Sequence, residues 1–308
     1  MSRTEFFTLK SEADGLDLAM LSVMPDGDPV GMVQFSHGMC EHKERYLPFM
    51  EYLAGHGLYC VINDHRGHGG SVKSKDDLGY MYAGGDDALI GDLHQITRWM
   101  RDRFPGKKLV LFGHSMGSLA VRAYCDAYDR DIDALIVSGS PGENPAVGVG
   151  TALVRLLIAL KGERHVSRLV KGLTVGGFEK RFAAEGRPGS WLSRDVGNVQ
   201  RYAEDPLCGF DFTLNANLAL MHLLRRAYNI DPKHTRSDLP VRLFSGADDP
   251  CAPDKAGFDN AVQKMRAAGY AGVKGHMFPG LRHEILNEAE HDAVFEKIWS
   301  EAIEPFIR

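Results

Sequence analysis

The feature that most constrains this chain is the run KLVLFGHSMG, Lys108 to Gly117. In it a short apolar segment passes directly into Gly113-His114-Ser115-Met116-Gly117, and a helical pattern follows from Met116 to Tyr128. A G-x-S-x-G between a buried strand and a helix makes a sharp turn that lifts a strained serine out of the sheet. The flanking glycines let the backbone pass where a Cβ would clash. The start of the helix aims free N–H groups and a positive dipole end at the place where an oxyanion would form. This pattern points to Ser115 as a nucleophile.

The surrounding text has the rhythm of a layered α/β chain. Glu5 to Met24 alternates apolar and polar residues on either side of Asp14-Gly15, which favours a hairpin turn, and predicts two antiparallel edge strands. Beyond Pro29 come the apolar runs VGMVQF, LYCVIN, KLVLFG, ALIVSG and VRLFSG. Helical patterns separate most of them: Glu44 to Ala54, Ala88 to Phe104 stopped by Pro105-Gly106, and Met116 to Tyr128. Two more lie near the end, Ala256 to Ala268 and Glu288 to Trp299. Such alternation predicts a mostly parallel central sheet with helices on both faces. From Gly142 to Arg236 the rhythm lapses into Gly-punctuated helical pieces such as TALVRLLIAL and FTLNANLALMHLLRRAY. The expected organisation is therefore one α/β core, 1–141 and 237–308, with an inserted helical lid at 142–236.

Bulk properties exclude several classes. The 308 residues suffice for one large domain with an insertion, and 44% apolar with 25% charged residues is the mixture of a soluble globular protein. A net charge of -5 offers nucleic acid no global attraction. The opening MSRTEFFTLK has no apolar stretch of signal-peptide length, so the expected location is the cytoplasm. Cys40, Cys60, Cys125, Cys208 and Cys251 are widely separated, without a C-x-x-C pair, and are expected to be free thiols.

A serine hydroxyl needs a base within hydrogen-bond reach, and that base needs an orienting acid. On a sheet with this elbow the chain order is serine, acid, histidine. Three histidines come late enough. His276 sits inside the strand pattern VKGHMF and His291 in the last helix, which leaves His283, in the loop just past that strand. The strand VRLFSG ends at Gly246 and delivers Asp248 and Asp249 to the side where catalytic loops gather, and either could orient the imidazole. The strand GMVQFSHG is followed by Met39, whose backbone N–H would be a second oxyanion donor beside that of Met116.

Four blocks then carry a resemblance to the monoacylglycerol lipase and lysophospholipase group of α/β-hydrolases, grouped also with serine aminopeptidase-like hydrolases. HGMCEHKERY (His37 to Tyr46) resembles HGxxEHxxRY, and DHRGHGGS (Asp64 to Ser71) resembles DxRGHGxS. GHSMG matches, as does GLRHEILNE (Gly280 to Glu288), the block of the catalytic histidine. The family's G-x-x-D falls on Gly246 to Asp249, which implies Asp249 as the acid. The resemblance further implies a mobile lid in the place of 142–236, no cofactor, and an ester substrate cleaved through an acyl-enzyme.

The 142–236 segment carries 14 Lys+Arg against 9 Asp+Glu, a basic insertion in an otherwise acidic chain. Its run LVRLLIAL (Leu153 to Leu160) is too short to span a bilayer. Either it packs on the core, or Leu153, Leu156 and Leu157 meet an acyl chain or make a transient membrane-surface contact. A basic, apolar lid suits monoacylglycerols or lysophospholipids better than short polar esters. It argues against an aminopeptidase, which would hold a substrate ammonium with carboxylates. A slow-turnover ligand sensor on the same fold is the reading from another class. The groups Asp64-His65-x-x-His68 and His37…Glu41-His42 lack the H-E-x-x-H spacing, so no metal centre is expected, and they read as loops bracing the site.

Overall fold

The computed structural model describes residues 2–252 and 254–307. Among them are the strands β1 (Arg3–Lys10), β2 (Asp17–Met24), β3 (Gly31–Ser36), β4 (Leu58–Asn63), β5 (Leu109–His114), β6 (Ala134–Ser138), β7 (Val241–Gly246) and β8 (Val273–Phe278). They form one sheet in the order β1-β2-β4-β3-β5-β6-β7-β8. β1 and β2 pair antiparallel, as do β2 and β4, and the remaining pairs are parallel. The edge strands of this sheet are β1 and β8. β2 was expected beside β1 as a second edge strand, but it is interior because its other side is taken by β4. Alternation along a strand reports which face is buried and says nothing of the neighbouring strand.

Successive residues of β5 explain why the parallel strands are apolar throughout. Leu109 and Leu111 enter one core, and Val110 and Phe112 enter the other. The helices α1 (Leu47–Gly55) and α10 (His291–Ile298) cover the second core through Phe49, Leu53 and Phe295. On the first lie α2 (Gly85–Arg103), α3 (Met116–Tyr128) and α9 (Lys255–Ala267), which contribute Leu93, Val121 and Val262.

Between β6 and β7 run α4 (Val147–Lys161), α5 (Arg168–Thr174), α6 (Gly176–Arg181), α7 (Val196–Glu204) and α8 (Leu214–Ala227). Val154, Val170 and Leu214 form a small separate core among α4, α5 and α8. α8 also reaches back, placing Ala219 and Leu223 in the same core as α3. No helix among the described residues is long and apolar enough to cross a membrane.

Arg66, from the DHRGHGGS block, is fully buried and ties three distant segments together. Its Nε and Nη2 donate to Asp92 Oδ2 at 3.0 and 2.9 Å, Nη1 donates to Asp14 Oδ2 at 3.1 Å, and Nη2 donates to Ser11 Oγ at 3.3 Å. Replacing it with methionine leaves the Asp92 carboxylate buried without its cation. The expected cost is about 3–5 kcal/mol of stability, measured by urea unfolding, and a loss under 1 kcal/mol would show that the ion pair is not structural.

Candidate active site

Ser115 stands between β5 and α3 with φ 53° and ψ -119°, a conformation that side chains with a Cβ rarely adopt. Its N–H donates to Ser138 O at 2.9 Å, which pins the turn to β6. Gly117 must lack a side chain, because a Cβ there would stand 2.1 Å from the carbonyl oxygen of Ser36. The strain at Ser115 is thus held by close packing of the turn against the end of β3.

The expected acid and base, Asp249 and His283, come from loops after β7 and β8. His283 Nδ1 donates to Asp249 Oδ2 at 3.0 Å, and both side chains are buried. Asp249 is itself fixed, since Oδ1 accepts from the N–H of Cys251 at 2.8 Å and Oδ2 from Ser245 Oγ at 3.3 Å. With its proton committed to Asp249, the ring presents Nε2 as an acceptor. Burial disfavours the imidazolium of His283, but the adjoining Asp249 carboxylate overrides it and holds the pKa well above the ordinary histidine value. Asp248 is exposed, and its N–H donates to Leu281 O at 3.0 Å.

Met39 and Met116 line the same cavity as Ser115 and His283. Met116 opens α3, where the N–H has no acceptor within the helix. The loop carrying Met39 is braced by Glu41. One carboxylate oxygen accepts from the N–H of Gly38 at 2.5 Å and from Tyr46 OH at 2.8 Å, and the other accepts from Arg45 Nε at 3.1 Å. Arg45 Nη2 reaches on to Glu284 at 2.5 Å, next to His283, and Asn198 of α7 donates to the same oxygen at 2.7 Å. The HGMCEHKERY and RHEILNE blocks, far apart in the chain, thereby share one buried ion-pair network.

The cavity has a volume of about 690 Å³, within the usual range for small-molecule sites. Of the three leucines expected to meet substrate, Leu153 lines it, with Val149, Gly150 and Val154 of the same helix. Leu156 does not, and is 56% exposed; Leu157 is also outside the lining and packs on the Val154–Val170–Leu214 core. A helix with apolar residues almost all round gives no sequence indication of which side meets the cavity.

Two further residues lie close to His283. The Trp191 ring, from the segment between β6 and β7, has its centroid 5.1 Å from that of His283, and it too lines the cavity. Nothing in its local sequence marks it. Cys251, one of the cysteines expected to be free thiols, places Sγ 3.9 Å from His283 Nε2, and burial pushes its thiol up to about 11, so it stays protonated at neutral pH. The histidines His37, His65 and His68 pack ring against ring, with centroid separations of 4.2 and 5.1 Å from His37 to the other two. Burial lowers His65 to about 3 and His68 to about 4, so both remain neutral packing groups beneath the site.

A mostly parallel eight-stranded sheet with a serine at the elbow after β5, and an Asp–His pair in the loops after β7 and β8, defines an α/β-hydrolase. The chain belongs to the family described as serine aminopeptidase, S33, which matches residues 27–290. It is similar to a monoacylglycerol lipase of Mycolicibacterium smegmatis, 28% identical over 276 residues, covering 90% of this chain and 89% of the relative. It is also similar to the monoglyceride lipase of Homo sapiens, 26% identical over 248 residues, 80% and 74% of the two chains. In fold it resembles a thermostable carboxyl esterase from Bacillus coagulans, with a TM-score of 0.89 over 99% of both chains at 24% identity.

Proposed function

We propose that this protein is a serine hydrolase cleaving carboxylic esters of single acyl chains, of the monoacylglycerol or lysophospholipid type. The observation that carries the reading is the large cavity that opens on Ser115 and is walled by apolar residues of α4 and α5, among them Leu153, Val154, Val170 and Leu173. In the proposed reaction Ser115 Oγ attacks the ester carbonyl while His283 Nε2 takes its proton, and Asp249 stabilises the imidazolium. The N–H groups of Met39 and Met116 hold the oxyanion. Collapse expels the alcohol, protonated by His283, and leaves an acyl-enzyme that water cleaves by the same steps. The 142–236 segment acts as the lid over this cavity.

An aminopeptidase would need a free carboxylate to receive a substrate ammonium. The cavity's acidic residues are Glu41, Glu143 and Glu284. Glu41 and Glu284 are bound to Arg45, and Glu143 to Lys264 at 2.8 Å. Each is already engaged by a cation, with Arg45 shared between Glu41 and Glu284, which favours the ester.

Val149 and Leu173 are 75% and 66% exposed yet also line the cavity, so its mouth is continuous with an outer apolar stripe through Leu156 and Leu160. We read this stripe as the face turned to a lipid surface. A single panel tests both parts of the reading: monoacylglycerols, lysophospholipids, p-nitrophenyl esters of graded length and aminoacyl anilides. Leu153→Ser should lower kcat/KM on long chains about tenfold, since each methylene contact is worth about 0.8 kcal/mol, and leave a two-carbon ester nearly unchanged. Leu156→Ser should spare dispersed substrates and slow those held in vesicles. Uniform losses across chain length for Leu153→Ser would refute the acyl-channel assignment, and anilides cleaved faster than esters would refute the ester reading.

A further inference from the structure

We infer that His42, Asp205 and Cys208 form a binding site for one divalent transition-metal ion, Zn²⁺ by preference, at the seam between the loop after β3 and the loop after α7. One imidazole nitrogen, one carboxylate oxygen and the thiol sulfur lie within 4.8 Å of one another. The three come from segments more than 160 residues apart in sequence, so only the folded chain assembles them.

The surroundings are those of a prepared ligand set. Asp205 and Cys208 are presented by one turn, closed by the N–H of Cys208 donating to Asp205 O at 3.0 Å. The N–H of Leu207 holds Asp205 Oδ1 at 2.8 Å, which turns Oδ2 toward His42 Nε2, 2.8 Å away. On the far side of the ring, Nδ1 meets Glu44 Oε2 at 2.5 Å. A carboxylate behind the imidazole fixes ring orientation and raises ligand basicity in metal sites, and Glu44 occupies that place here. His42 and Cys208 are buried, so both donors are shielded from bulk water.

The donor chemistry selects the ion. Imidazole with thiolate suits Zn²⁺ and its neighbours, whereas Ca²⁺ and Mg²⁺ require oxygen ligands. Three protein donors leave a fourth tetrahedral position for water. With metal–ligand bonds of about 2.0–2.3 Å, the His42–Asp205 pair has to open by roughly half an ångström, and the ion displaces the proton between them and that of Cys208. Of the neighbouring cations, Lys43 Nζ is shared between Asp64 at 2.7 Å and the outer Glu44 at 2.9 Å, and Arg45 bridges Glu41 and Glu284, so neither is paired with Asp205. None of the three donors lines the cavity of Ser115, so the ion would clip the 142–236 segment to the core without entering the reaction space.

Cobalt titration of the intact protein tests this, because thiolate ligation gives a charge-transfer absorption that oxygen and nitrogen ligands do not. The expected result is one Co²⁺ per chain, competed off by Zn²⁺, with a thiolate band that is lost in Cys208→Ser and kept in Cys251→Ser. Glu44→Gln, which alters a partly exposed side chain, should keep the band and weaken binding 10- to 100-fold. A band lost with Cys251 and kept without Cys208 would place the ion at Asp249, Cys251 and His283 and overturn the assignment. So would the lack of stoichiometric uptake, with His42 then serving as an imidazolium between two carboxylates, or a Glu44→Gln titration superimposable on that of the native protein.

Discussion

Ser115→Ala should yield a folded protein whose kcat on a p-nitrophenyl ester is lower by about 10⁴-fold or more, the range seen when the nucleophile of a serine triad is removed. The side chain is only partly buried, so stability should change by under about 0.5 kcal/mol. The positive φ is imposed by the packing of the glycine-flanked turn and persists with alanine. Such activity as remains would come from the N–H groups of Met39 and Met116 and from binding in the cavity. A fluorophosphonate probe should label the native protein once, at Ser115, and fail to label the variant. Near-native turnover in Ser115→Ala would remove the serine from the mechanism.

The second large effect is expected at Asp249. An asparagine there offers an amide in place of the carboxylate at 3.0 Å from His283 Nδ1, favours the wrong imidazole tautomer and leaves the imidazolium without its counter-charge, with a loss near 10⁴ in kcat. Asp248→Asn should change activity by no more than a few-fold, because that side chain is exposed and the His283 Nδ1 bond goes to Asp249. A reversed ranking would make Asp248 the acid. The pH profile carries a second readout. Because Asp249 holds the His283 pKa above the ordinary value near 6.5, the ring becomes the neutral base only as pH rises through that raised pKa. The acid limb of kcat/KM should therefore lie above about pH 6.5. In Asp249→Asn the main opposition to burial is removed and only Cys251 still raises the pKa, so the residual limb should move to lower pH. An unmoved limb would mean that His283 is not the titrating base.

Much of this protein is determined locally. The positions of β5 and α3, the glycines around Ser115 and the place of His283 beyond the last strand follow from hydrophobic runs, turn residues and chain order. These signals act over a few residues, where backbone sterics and burial of a strand on both faces leave few alternatives. The choice of Asp249 over Asp248 rested on a family spacing. In the fold the Asp249 carboxylate is buried and accepts from His283 Nδ1, whereas Asp248 is exposed.

Other features are decided by the tertiary structure alone. That β2 is interior depends on β4 arriving beside it, and that Leu153 rather than Leu156 or Leu157 meets the cavity depends on how α4 is rotated against α5 and α8. The ion pairs joining Glu41, Arg45 and Glu284, the approach of Trp191 and Cys251 to His283, and the meeting of His42 with Asp205 and Cys208 all join segments far apart in the chain. Periodicity specifies which face of an element is apolar. Which distant side chain will lie against that face is settled only when the sheet order and the path of the 142–236 segment bring the two within contact distance.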